Sequence, residues 1–261
     1  MPTPLIPPSR LAADNPLVIA VELDEAAVRV TPAHRHERGQ LIGARSGLLS
    51  IGTAQGRWVA PATHAIWIPP GEPHSVTSHG PFSGWSVYVA GQACASLPTE
   101  PTALLMSGLL REAVHRAAGW PDDTLDGPRL HIANVILDEM HSLPRGDTAG
   151  LPYPRDPRLA RIAQALSDDP ANPRGLDEWA AWAGISPRSL MRRFPIETGF
   201  TFTAWRQRVR LLRAIEWLAD GKSITAIALD LGYENVSAFI AMFRRVFGVT
   251  PGRYPEKTRS L

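Results

Sequence analysis

The stretch "ITAIALDLGYENVSAFIAMF", residues 224–243, decides how the second half of the chain folds. Its apolar positions recur at helical spacing, break at Gly232 and resume after Asn235. Glycine can take the left-handed conformation that ends one helix, and Asn235 can cap the next. The same plan occurs in "LDEWAAWAGISPRSLMRRF", residues 176–194, with Gly184 as the stop and Ser186 as the cap. In both, an alanine stands four residues before the glycine, Ala180 before Gly184 and Ala228 before Gly232. The copies differ in one respect: Gly184 to Phe194 spans ten residues and Gly232 to Phe243 eleven, so one turn is longer. This is helix-turn-helix grammar, written twice. A single copy reads equally well as two packed helices without a nucleic-acid role; duplication within a basic segment favours DNA.

Between the copies, "TFTAWRQRVRLLRAIEWLADG" reads as one long helix. Trp205, Val209, Leu212 and Leu218 fall toward a core, while Arg206, Arg208, Arg210 and Arg213 supply charge. A rigid connecting helix would let one chain address successive major grooves, about 34 Å apart. Trp179 and Trp182 fall on an apolar helical face and are expected in the core rather than stacked on bases.

The whole chain carries a net charge of +2, but its halves differ. Residues 1–154 hold 10 Arg and no Lys against 14 acids, a net of −4; residues 155–261 hold 17 Lys plus Arg against 11 acids, a net of +6. The basic half is the nucleic-acid candidate. At 261 residues the chain suits two domains, each with its own core. One cysteine, Cys94, excludes an intramolecular disulfide. With no signal-like start and no membrane-length apolar run, a soluble cytoplasmic protein that meets no membrane is expected.

The first 100 residues read as short β segments broken by Gly and Pro: "LVIAVEL", "AVRVTP", "LIGARSG", "LLSIGTA", "RWVAP", "HAIWIPP" and "WSVYVA". That pattern predicts a small β sandwich or barrel. From about residue 102, "ALLMSGLLREAVHRAAG" and "PRLHIANVILDEMHSL" predict two helices, the second burying Leu130, Val135, Leu137 and Met140. These could pack on the barrel or pair with a second subunit. "PRGDTAGLPYPRDP", residues 144–157, can be neither helix nor central strand and reads as a linker, so the boundary is placed near residue 150. Beyond it helices are expected at roughly 157–167, 176–183, 187–197, 202–219, 224–231 and 236–247. The fold class is thus multidomain α+β: residues 1–150 a β barrel with two helices, residues 151–261 all-α with two helix-turn-helix motifs.

From residue 175 to 254 the chain resembles the DNA-binding domain of the AraC/XylS family of bacterial transcriptional regulators, most specifically in "IALDLGYENVSAFIAMFRRVFGVTPGRY". The first half is similar to the cupin-type sensor that many members carry. The resemblance implies an activator or repressor that answers a small ligand. Its partners would be double-stranded promoter DNA, a small effector, RNA polymerase and a second copy of the chain, which would dimerise through the first domain.

Matching family positions place Arg188, Met191 and Arg192 on the groove side of the first recognition helix, with Leu190 and Phe194 inward. An arginine bonding both O6 and N7 of guanine contributes about 1–3 kcal/mol of discrimination. In the second motif Ala238, Phe239, Met242, Phe243, Val246 and Phe247 form the apolar stripe, leaving Val236, Ser237, Ile240 and Ala241 for the groove. Such side chains fit thymine methyls but make few base hydrogen bonds, so the first motif carries most specificity. Arg206, Arg208, Arg244 and Arg245 are the phosphate-contact candidates.

In "HRHERGQL", His34 and His36 stand one residue apart and can share one side of a strand. Metal-binding cupins offer such a pair, an acid about four residues later, and a histidine in a Pro-x-Gly-x-x-His segment. Here "PPGEPH" supplies His74, but Gln40 stands where the acid belongs. Two readings remain open. These residues line an effector pocket without metal, or they hold a transition ion, which three imidazoles alone cannot identify. Nothing like a catalytic acid–base pair accompanies them, so no enzyme activity is expected. The alternatives are a cupin metalloenzyme with an accessory helical half, and a constitutive DNA binder with a degenerate β domain.

Overall fold

The computed structural model describes residues 6–7, 10–11, 16–146 and 150–254. They fall into two compact units. Among the described residues, one holds the chain as far as Thr53 together with Trp58–Gly150; the other holds Ala54–Arg57 and residues 151–254.

In the first unit β1 (Val18–Glu25), β2 (Val30–His34), β3 (Gly39–Thr53), β4 (Gly56–Pro61), β5 (His64–Ile68), β6 (His74–Val89) and β7 (Thr102–Leu105) build an antiparallel sheet around β3 and β6. β1 and β2 both pair with β6, while β5 pairs with β3 and β7. The two strands expected over residues 41–54 are one, because β3 pairs with β6 on both sides of Ser46. Its register shifts there, and Gly47 takes φ 82, so a bulge bends the strand without ending it. Gly43 permits a second close approach: a Cβ there would lie 2.1 Å from the Trp85 ring.

Residues 103–105, expected in a helix, instead pair with β5 as β7. The helix starts at the cap, Ser107, whose side chain accepts from the Leu110 N–H. Helices α1 (Gly108–Ala118) and α2 (Gly127–Ser142) bury Leu110, Val114, Ala133, Ile136 and Met140 in one cluster with Trp67, Val87 and Leu104. Val135 and Leu137 only flank that cluster. Leu130 does not belong to it: it is 40% exposed and lines a surface hollow with Leu17 and Leu125, since the buried stripe begins one turn later at Ala133.

Part of the expected linker is ordered. Gly150–Pro152 form a three-residue edge strand, β8, with Leu151 buried; residues 147–149 of that linker lie outside the described residues. An edge position suits Pro152, which has no N–H to give to a ladder.

The second unit is helical: α3 (Pro157–Asp168), α4 (Leu176–Ala183), α5 (Pro187–Thr198), α6 (Phe202–Ala219), α7 (Ile224–Asp230) and α8 (Val236–Phe247). These bounds follow the sequence reading closely because the stops and caps are local. Gly184 and Gly232 take φ 69 and 72, and the Ser186 and Asn235 side chains accept from the N–H groups of Ser189 and Ala238. Trp179, Phe194, Trp205, Phe239 and Phe243 are fully buried. The Trp205 ring meets Phe194 edge-on at 5.5 Å, and its Nε1 donates to the Pro152 carbonyl at 2.8 Å. Trp182 is a correction: it is 40% exposed, edge-on to Trp179 and covered by the Arg161 guanidinium at 4.9 Å. Leu218 is only half-buried, whereas Leu211 and Ile215 join the core, as does the acid Glu216. That carboxylate lies 2.6 Å from Arg57 and 3.1 Å from Arg213.

Candidate functional site

The first motif presents Arg188, Met191 and Arg192 on the exposed side of α5, while Leu190 and Phe194 are buried. Spacing of three and four residues puts the exposed trio on one helical face. In α8 the buried stripe is narrower than the sequence suggested. Phe239 and Phe243 are buried, Met242 and Phe247 half-buried, and Ala238 and Val246 exposed, so Ala238 joins Ser237 and Ala241 on the outer face. Val236 and Ile240 are half-buried and flank it. The reason is that Phe239 and Phe243, edge to face at 5.8 Å and continued by Tyr254, fill the interior without a second row. Arg244 and Arg245 are exposed at the helix end.

The α6 arginines do something the sequence did not reveal. Arg206 donates to the carbonyls of Arg174 and Asn172, Arg210 to that of Pro170 at 3.0 Å, and Arg213 to that of Ser167 at 3.1 Å. Four- and three-residue spacing aligns them along one face, where they strap the end of α3 and the chain leading into α4 against α6. Arg208, half-buried, lies over the Phe200 ring at 4.7 Å. Among the four phosphate candidates, Arg244 and Arg245 are the two that stand open to solvent.

The first unit contains a cavity of about 370 Å³. Ile6, Leu23, Ile42, Val76 and Trp85 give it apolar walls; His34, His36, Gln40 and Tyr88 give it a polar side. No Asp or Glu is among the described residues that line it. His34 ends β2 opposite His74, the first residue of β6, and β3 begins just before Gln40. One ring nitrogen from each of His34, His36 and His74 lies within 4.8 Å of the others. All three donate Nδ1–H to nearby backbone carbonyls: His34 to Pro32 at 3.0 Å, His36 to Arg38 at 2.7 Å and His74 to Glu72 at 2.9 Å. Gln40 Oε1 sits 3.1 Å from His36 Nε2 and 2.9 Å from His74 Nε2, and its amide nitrogen donates to the Ser86 hydroxyl at 3.0 Å. Burial, reinforced by the neighbouring imidazoles, pushes His74 down to about 4, and burial lowers His36 too. The four candidates therefore converge, with His34, His36 and Gln40 lining the cavity and His74 beside them.

His64, away from this cluster, is also buried, and burial alone pushes it down to about 4 from 6.5. The unfolded chain binds the proton more readily, so the stabilisation is complete above about pH 6.5 and is lost as pH falls toward 4, by up to about 3 kcal/mol. Urea unfolding of the β unit between pH 7 and 4.5 should show this slope, shared with His74 and His36, and His64→Leu should make it shallower without removing it; an unchanged slope would assign the acid sensitivity elsewhere.

A family model for an AraC-like ligand binding domain matches residues 15–173, and one for a helix-turn-helix domain matches residues 179–257. The HTH-type transcriptional regulator NimR of Escherichia coli K12 is 31% identical over 227 residues, which cover 86% of this chain and 82% of NimR. The HTH-type transcriptional regulator RipA of Corynebacterium glutamicum is 37% identical over 123 residues, covering 47% of this chain and 35% of RipA. A solved AraC-type transcriptional regulator from Chromobacterium violaceum aligns with a TM-score of 0.37 and 28% identity, over 40% of this chain and 93% of that one. Among the described residues no helix is long and apolar enough to cross a membrane. The chain belongs to the AraC-type family of transcriptional regulators, with an N-terminal ligand-binding domain followed by a C-terminal DNA-binding helix-turn-helix domain.

Proposed function

We propose that this regulator takes its effector into the β-unit cavity and reads its operator chiefly through the first helix-turn-helix motif. The observation that carries the reading of DNA is the contrast between two outer faces: Arg188, Met191 and Arg192 on α5, against Ser237, Ala238 and Ala241 on α8. Guanidinium groups can discriminate bases by paired hydrogen bonds, whereas small side chains offer shape and methyl contact. The domains divide near residue 150. The cavity suits a small, largely apolar molecule with a polar head against His34, His36 and Gln40. The chain is read as a regulator rather than an enzyme because it carries the ligand-binding and helix-turn-helix domains of transcriptional regulators. Exposed Leu109 and Leu130 on α1 and α2 favour a homodimer through the first unit. Acting on promoter DNA implies a cytoplasmic protein that works with RNA polymerase.

Arg192→Ala should relax preference at one or two base pairs and cost about 1–3 kcal/mol on the preferred duplex. Arg244→Ala should weaken preferred and random duplexes alike. Competition binding of the full chain on both duplexes checks this; equal losses on both for Arg192→Ala would make that arginine a phosphate contact.

A further inference from the structure

The two helix-turn-helix motifs are joined by α6, but a connecting helix alone fixes only one end of each. Side contacts must set how α5 and α8 are held relative to each other. Several of them meet at one residue of α6, Arg210. Its Nε donates to the Pro170 carbonyl at 3.0 Å, in the loop between α3 and α4 that leads into the first motif. Its guanidinium also lies over the Tyr233 ring, 5.7 Å from the centroid, near enough for the cation to be drawn to the ring face. Tyr233 stands in the turn of the second motif, between α7 and α8, and packs on Phe239 of α8 with ring centroids 5.4 Å apart. A planar guanidinium can bond a carbonyl at its edge while its face covers an aromatic ring. The loop and the turn also approach each other directly, since a Cβ on Gly232 would lie 3.3 Å from the Ala171 carbonyl oxygen. Arg206 fastens the far end of the same loop through the carbonyls of Asn172 and Arg174, next to Gly175, the cap of α4.

We infer that Arg210 is a positioning residue for DNA reading. Clamped between Pro170 and Tyr233, it holds the two motifs at one separation and so sets the number of base pairs between the two stretches of operator they contact. It acts through the loop before α4 and the turn before α8, not on a base. The inference rests on the reading in which both motifs engage one duplex. A rigid pair fits one spacing, because each base pair added between the contacted grooves rotates the second by about a tenth of a helical turn. A pair held by α6 alone would follow the groove over neighbouring spacings.

The test uses the duplex that the full wild-type chain selects from a randomised library, together with versions carrying one base pair more or less between the two contacted stretches. Wild type should lose about tenfold or more in affinity on either change, within the range that a mismatched base pair costs, whereas Arg210→Ala should lose less than about threefold. Base preference within the first stretch should stay as in wild type, a readout that general damage to the fold would move. Tyr233→Leu keeps an apolar side chain against Phe239 but removes the ring face, so it should relax spacing in the same way. It carries the test if circular dichroism shows Arg210→Ala to be unfolded. Tyr233→Phe should behave as wild type, since the Tyr233 hydroxyl has no hydrogen-bond partner. Wild-type spacing discrimination kept by both Arg210→Ala and Tyr233→Leu would overturn the clamp alone. Loss of base preference along with spacing would reduce Arg210 to a support of the fold and overturn its positioning role. A wild type that selects a single contacted stretch would overturn the two-motif reading, and the clamp with it.

Discussion

Raising salt from 50 to 200 mM is expected to weaken the full chain's hold on duplex DNA by about a thousand-fold or more, as for proteins that neutralise roughly six to ten phosphates. The physical cause is release of condensed counterions, and the slope of log affinity against log salt counts the charges involved. The structure refines which charges count. Arg244→Ala and Arg245→Ala should each reduce the slope by about 1, because both side chains are open to solvent at the end of α8. Arg206→Ala should leave the slope unchanged, since its guanidinium holds the carbonyls of Asn172 and Arg174. Fluorescence anisotropy over a salt series reads all three. A drop in slope for Arg206→Ala equal to that for Arg244→Ala would restore it as a phosphate contact.

Trp205→Ala is expected to destabilise the helical unit by about 3–5 kcal/mol, the range for removing a buried aromatic side chain. Trp205 is fully buried in α6, the helix between the two motifs, and packs on Phe194 of the first recognition helix. Its loss opens a cavity beneath α5 and also removes the Nε1–H bond to Pro152. Against a domain stability of about 5–15 kcal/mol, that is a large fraction. Urea denaturation followed by circular dichroism should show the helical transition shifted to lower denaturant, with the β-unit transition in place. A change under 1 kcal/mol would mean that Trp205 is not the anchor of α6.

What the sequence disclosed was local. The end of α4 and the starts of α5 and α8 could be read because the Gly184 stop and the Ser186 and Asn235 caps act within four residues of themselves. That His34 and His36 share one side was legible from their spacing, and that Gln40 and His74 join them followed from the resemblance to metal-binding cupins. What stayed hidden depends on distant partners. Residues 103–105 have helical periodicity but lie on β5, a partner nearly forty residues earlier in the chain. Ala238 and Val246 look buried by period, yet Phe239 and Phe243 already fill the space. Nor could spacing tell that Arg206, Arg210 and Arg213 donate to backbone carbonyls, since a charged helical face looks the same with or without such partners.

The central claim is that this chain reads DNA sequence through two linked helix-turn-helix motifs, the first dominant. Selection of bound duplexes from a randomised library by the full chain, followed by base-by-base footprinting of the enriched sites, tests it most directly. The account predicts an enriched motif contacted in two successive major grooves, about 10 base pairs apart, with the stronger base preference in one groove that relaxes in Arg192→Ala. Recovery of sequences no different from the starting library, with binding that depends on salt alone, would contradict it.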